Sequence, residues 1–149
     1  MTGGRFEEVT PRGATAQPLI ATSRAAAFGD LDNDGGIDIV VANRDAAPHL
    51  LRNIAPNRGH WLLLRVVERS GRDAIGATLS IVAGGRTIRR DVRTGYSYLA
   101  ANDARVHVGL GDLMKVDSIA VRWADGTSER FGPFAADRIV DIRRGGGTP

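Results

Sequence analysis

Asp30-Leu31-Asp32-Asn33-Asp34-Gly35-Gly36-Ile37-Asp38 decides how this chain is read. Four carboxylates fall within nine residues, at loop positions 1, 3, 5 and 9. Unit charges about 4 Å apart repel by about 1 kcal/mol in water and about 4 kcal/mol in a protein-like medium. Such crowding calls for a compensating charge. Ca²⁺ supplies one, taking about 6–8 oxygens from carboxylates, backbone carbonyls and water. Odd spacing turns Asp30, Asp32 and Asp34 into one concavity. Gly35 gives the sharp turn, the Gly36 carbonyl faces the ion and Asp38 closes the cage. The other reading is a solvated turn with no ion, since Asp, Asn and Gly dominate turns anyway.

Working outward, the loop starts like an EF-hand but does not continue as one. An EF-hand needs a bidentate Glu at position 12 and a helix after it. Position 12 is Val41, and Ile39-Val40-Val41 is β-branched and strand-like. The expected unit is therefore strand, ion loop, strand. Arg24 to Phe28 is the incoming strand, despite three alanines that favour helix. Ile37 to Asn43 is the outgoing one. His49 to Asn53 is a further short strand, and Pro56-Asn57-Arg58-Gly59 a linker turn. Upstream, Phe6 to Thr10 reads as a short strand, ended by Pro11.

Beyond the linker the pattern stays β. His60 to Val67 is nearly all apolar, as in a strand buried on both faces. Ala77 to Ala83 and Arg86 to Arg93 flank Gly84-Gly85, a type I′ hairpin signal that sets Ile81 opposite Ile88. Arg90 interrupts the apolar face of the second arm. Gly95 to Leu99 reads as extended, and Arg105 to Leu110 as a strand. Ser118 to Trp123 alternates cleanly. A two-residue turn at Asp125-Gly126 then pairs Arg122 with Glu129. Arg138 to Ile142 is the last strand, and Gly145-Gly146-Gly147 a frayed tail. Short strands at regular spacing with glycine turns make an all-β chain: one β-hairpin or blade, then an antiparallel β-sandwich.

Composition sets outer bounds. The 149 residues contain no cysteine, which excludes disulfides and cysteine-ligated zinc. No apolar run approaches the ~18 residues of a membrane span, and Met1 to Thr10 has no apolar signal-peptide core. The formal charge of +3 comes almost wholly from arginine, Lys115 being the only lysine. These arginines are scattered, and stacking aromatics are few. The basic surface is read as solvated, with no nucleic-acid partner.

Two segments resemble known families. Phe28-Gly29-Asp30-Leu31-Asp32-Asn33-Asp34-Gly35, within Arg24 to Asn43, resembles an FG-GAP (VCBS-type) repeat, a β-propeller blade. From Trp61 onward the chain resembles the ASPIC/UnbV domain. His60-Trp61-Leu62, Arg72-Asp73-Ala74-Ile75-Gly76-Ala77, Ala83-Gly84-Gly85-Arg86, Tyr96-Ser97-Tyr98-Leu99 and Val106-His107-Val108-Gly109-Leu110-Gly111 carry this likeness. Val116-Asp117-Ser118 and Val121-Arg122-Trp123 continue it. The pairing resembles the cartilage acidic protein-like family, in which the domain follows a propeller. A propeller has at least about four blades, and one loop is present, so the likeness implies the C-terminal piece of a longer protein. It implies residues 1–55 as an FG-GAP-like unit, 56–145 as the ASPIC/UnbV-like domain and 146–149 as a disordered tail.

The expected function is a non-catalytic, Ca²⁺-binding module of an extracytoplasmic or secreted adhesion protein. Its metal ligands are Asp30, Asp32, Asp34, Gly36 and Asp38. Upstream blades and a protein or carbohydrate ligand are its partners. The alternative is an enzyme-associated domain with its catalytic part upstream or in a sandwich pocket. Neither Gly-x-Ser-x-Gly nor His-Glu-x-x-His occurs, and of the three histidines His107 reads as a half-buried strand residue. A pocket joining His107 to a carboxylate and a hydroxyl would favour the alternative. Tyr96, Tyr98 and Trp123 are read as core or rim aromatics, or else as a sugar platform.

Overall fold

The computed structural model describes Thr15 and residues 19–149; Phe6 to Thr10 lies outside them. Twelve strands and no helix make up the described residues, so the chain is all-β. No helix among them is long and apolar enough to cross a membrane. The first sheet holds β1 (Ser23–Gly29), β2 (Asp38–Asn43) and β3 (His49–Leu51), all antiparallel. Phe28 lies opposite Ile39 and Gly29 opposite Asp38. The acidic stretch is therefore the β1–β2 connection. Pairing along β2 outweighs the helix preference of the three alanines.

The rest of the chain forms two facing layers. One sheet runs β10-β9-β5-β6, the other β12-β4-β7. Their strands are β4 (His60–Val67), β5 (Thr78–Ala83), β6 (Arg86–Asp91), β7 (Val106–Gly111), β9 (Ser118–Arg122), β10 (Ser128–Phe131) and β12 (Arg138–Arg143). A small ladder joins β8 (Lys115–Val116) to β11 (Phe134–Ala135). Leu62, Leu64, Val108 and Ile142 from one layer meet Leu79, Ile81, Ile119 and Val121 from the other in a single core. Full burial of such side chains is worth about 1.5–3 kcal/mol each. β4 is central, and Leu63 is as buried as Leu62 and Leu64 although it faces away from that core. Its apolar run is explained by cover on both faces.

The Gly84-Gly85 turn forms as read. Both residues have positive φ, 54° and 74°, and Ile81 pairs with Ile88. Four expectations are corrected. The sandwich is not purely antiparallel: β12 lies parallel to β4, Arg138 beside Leu62. β12 arrives by a crossover from the other layer rather than a hairpin, and only hairpins force antiparallel pairing. The second hairpin has a three-residue loop, with Arg122 opposite Ser128 and Glu129 opposite Val121. Gly126 donates to the Trp123 carbonyl at 2.9 Å and has φ of 89°, a type I turn followed by a left-handed residue.

The third correction concerns Gly95 to Leu99, where Ser97 bridges back to Ala100 and Leu99 has φ of 47°. That segment turns instead of extending. The fourth concerns the tail. Thr148 and Arg130 exchange backbone hydrogen bonds at 2.7 and 3.0 Å. The Glu129 carboxylate accepts from the Gly145 and Gly147 amides at 2.9 and 3.0 Å. The residues read as frayed are an extra strand-like pairing on β10, and Glu129 holds them in place.

Candidate metal centre

The β1–β2 loop curls around its own carboxylates. Asp30 is fully buried and Asp38 is 3% exposed. Asp30 accepts from the Asp34 amide at 3.1 Å and the Gly35 amide at 2.9 Å. Asp38 accepts from Leu31 at 3.0 Å and, across the sheet, from Asn53 at 2.8 Å. Each carboxylate has about four lone-pair sites, so both keep acceptor capacity. Asp30, Asp32 and Asp38 each offer an oxygen within 4.8 Å of the others.

Asp34 is directed elsewhere. Arg58 grips it with both arms, Nη1 to Oδ1 at 3.0 Å and Nη2 to Oδ2 at 3.1 Å. The Arg58 fork, then the Gly36 amide, holds the Asp34 carboxyl below the usual range, and Asp34 raises Arg58 in return. Arg52 reaches Asp32 at 2.6 Å. Gly36 lies under Arg58, where a β-carbon would stand 1.9 Å from Nη1. Of the expected ligands, Asp30, Asp32 and Asp38 converge, whereas Asp34 is held by Arg58 and Gly36 donates its amide to Asp34 at 2.8 Å.

The loop is seated on the sandwich. Arg105 donates to the Asn33 side chain and to the Asp30 carbonyl, both at 2.6 Å. Its guanidinium is fixed from behind by Asp103, which holds it above its ordinary value. His107 Nε2 lies 2.9 Å from the Gly35 carbonyl. Asn102, 5% exposed, accepts from the Phe28 amide and donates to the Thr94 carbonyl. Since Leu63 is opposite His107 on the sheet, the loop covers the second face of β4. Sequence reading missed Arg52, Arg58, Arg105 and Asn102. His107 is a half-buried strand residue as read, and its ring nitrogen serves the loop.

Among the described residues, a histidine pairs with a carboxylate at His60, whose Nδ1 is 2.6 Å from Asp137. His60 keeps Asp137 below its usual range, helped by the Trp61 amide. That pair is partly exposed, with no hydroxyl among its hydrogen bonds.

The donor set fits a hard cation. It is oxygen-only, its oxygens lie close enough to share an ion with oxygen distances of about 2.3–2.6 Å, and two of its carboxylates are anchored by amides. Asp30, Asp32 and Asp38 would hold the ion, which would cancel their mutual repulsion.

An all-β module of two facing sheets, with an acidic loop clamped onto one of them, is the class of protein this architecture defines. A model of the ASPIC and UnbV family matches residues 67–149, more than half the chain. The chain belongs to the ASPIC and UnbV family. No match is found among curated proteins.

Proposed function

We propose that this chain is a non-catalytic, Ca²⁺-stabilised binding module acting outside the cytoplasm, its first sheet an FG-GAP-type propeller blade. The observation that carries the reading is the convergence of Asp30, Asp32 and Asp38: Asp30 and Asp38 are buried with no ion-pair partner among the described residues, and Asp32 meets Arg52. Extracellular Ca²⁺ modules work at dissociation constants of about 10⁻⁴–10⁻³ M, an affinity suited to a compartment rich in the ion. Leu50 and Ile54 beside the first sheet are 66% and 80% exposed, which supports a neighbouring blade of the parent protein packing there.

Calorimetry tests the ion. One Ca²⁺ should bind per chain, with Mg²⁺ weaker because it demands a tighter octahedron. Asp30→Asn should abolish the heat. Loss in Asp34→Ala as well would mean that Asp34 leaves Arg58 to complete the site; retention would mean three carboxylates suffice. Wild-type protein without a Ca²⁺ heat would overturn the reading.

A further inference from the structure

A second concave surface lies beside the seat of the loop. Between the end of β1, the end of β6 and the start of β7 runs an open cleft of about 500 Å³, within the roughly 300–1,000 Å³ of small-ligand sites. Its cations are Arg89, Arg90, Arg93 and Arg105, set against Asp91 and Asp103; His107 and the Tyr96 hydroxyl share this lining, but His107 Nε2 meets the Gly35 carbonyl and, among the described residues, no hydrogen bond joins His107 to a carboxylate or a hydroxyl. Arg105 is held by Asp103, and Arg89 lies 3.9 Å from Asp91. Arg90 and Arg93 have no carboxylate partner among the described residues. The Arg93 guanidinium sits 5.1 Å from the centre of the Tyr96 ring, which is 49% exposed.

Arg90 is opposite Leu79, on the side of the sheet that faces the core. An inward charge on an edge strand guards against stray strand pairing. That explains one arginine. It does not explain Arg93 and Tyr96, which lie past the strand and line the same cleft. Guanidinium forks match carboxylate and sulfate groups two bonds at a time, and an exposed ring offers a flat apolar face to a sugar. Nucleic acid is a poorer fit. Strand-binding grooves use successive stacking rings and a continuous cationic track, whereas of this cleft's rings Tyr96 is the exposed one, Phe28 and His107 are half-buried, and two aspartates interrupt its charge.

We propose that this cleft binds an acidic saccharide, the sugar ring on Tyr96 and its carboxylate or sulfate held by Arg93 and Arg90. The inference rests on the binding-module reading for its ligand class but uses none of Asp30, Asp32 or Asp38. The test is a titration of the full chain followed by backbone amide shifts. The probes are an oligogalacturonate, a sulfated oligosaccharide, a neutral oligosaccharide and a short single-stranded DNA, each in Ca²⁺ and in EGTA. Amides around Arg90, Arg93 and Tyr96 should shift with at least one acidic sugar, and which one distinguishes carboxylate from sulfate. Arg93→Ala and Tyr96→Ala should each weaken binding about tenfold. Arg86→Ala, on β6 with Arg90 but outside the cleft, should not. Both cleft residues are exposed, so unchanged shifts elsewhere establish that the variants fold. Equal binding of the neutral sugar or of DNA, equal loss in Arg86→Ala, or no response to any sugar overturns the proposal. Failure of the ion reading would leave the sugar shifts in place, and failure here would leave the calcium heats.

Discussion

The backbone of Gly35 abuts the indole of Trp61, so closely that a β-carbon there would stand 2.1 Å from the ring. Gly35 also has φ of 84°, which side chains resist. The acidic loop and the sandwich are thus joined at a point where no side chain fits. Gly35→Ala should cost about 2–4 kcal/mol, strain and clash together. In a Trp61→Ala background the clash is gone, and the same substitution should cost only about 1–2 kcal/mol of left-handed strain. Chemical denaturation of the four proteins measures the coupling. Equal costs in both backgrounds would show that the ring does not limit this position.

Asn102 is the second joint. Its side chain satisfies the Phe28 amide at 2.9 Å and the Thr94 carbonyl at 2.7 Å. Asn102→Ala leaves both without that partner, so a loss of about 1–3 kcal/mol is expected. Asn102→Asp keeps the acceptor but turns an oxygen toward the Thr94 carbonyl, and should be no better than alanine. An aspartate variant as stable as wild type would show that the Thr94 contact contributes nothing.

Much of this arrangement was not legible in the chain. Alternation in Ala77 to Ala83 and the paired glycines after it are local signals, and they placed Ile81 opposite Ile88 correctly. The carboxylate cluster was visible because its members are neighbours in sequence. What captures Asp34 is 24 residues away at Arg58, and what holds Gly35 is 72 residues away at His107. No periodicity encodes such pairs. The near-continuous apolar run of β4 did announce burial on both faces, but not that the acidic loop supplies the second cover. Strand direction is equally silent, which is why β12 was not read as parallel. An Asp-Gly pair fits two-residue and three-residue loops alike, and the choice shifted Glu129 from an ion-pair partner of Arg122 to the clasp of the tail.

Those long-range joints decide what a chelator should do. If Ca²⁺ holds Asp30, Asp32 and Asp38 together, its removal restores their repulsion and loosens the loop by mass action. Hydrogen exchange in EGTA should rise across Ser23 to Asn53 and in the Asn102 to His107 segment that grips the loop. β5 and β9, deep in the sandwich core, should keep their protection. Protection lost equally across Trp61 to Ile142 would mean a single cooperative unit.

Glu129 offers a check on the tail. Its carboxylate receives the amides of Gly145 and Gly147. Glu129→Ala should cost about 1 kcal/mol and speed exchange at the Thr148 and Arg130 amides, which bond each other. β12 should be unaffected. Unchanged exchange at Thr148 would mean the backbone pairing alone holds the terminus.

Acid should act on the cluster around Arg144. Arg144 lies over Trp123, 5.6 Å from the ring centre, and bonds Asp125, Glu68 and Thr127. The Thr127 hydroxyl, then Arg144, then the Thr127 amide hold the Asp125 carboxyl well below the usual range. A carboxyl depressed in the folded state stabilises fully above its unfolded value, about 3.9, and loses that contribution as pH falls toward the folded value. Arg144 keeps its charge throughout, its own value being raised chiefly by Asp125. Wild-type stability should therefore decline below about pH 4, with part of the decline owed to Asp125. Asp125→Asn should be less stable than wild type at neutral pH, and the gap should close on acidification. Half of the Asp125 side chain is exposed, so salt should also shrink the gap. Parallel denaturation midpoints across this range, or a gap that widens in acid, would show that the Asp125 charge does not stabilise the cluster.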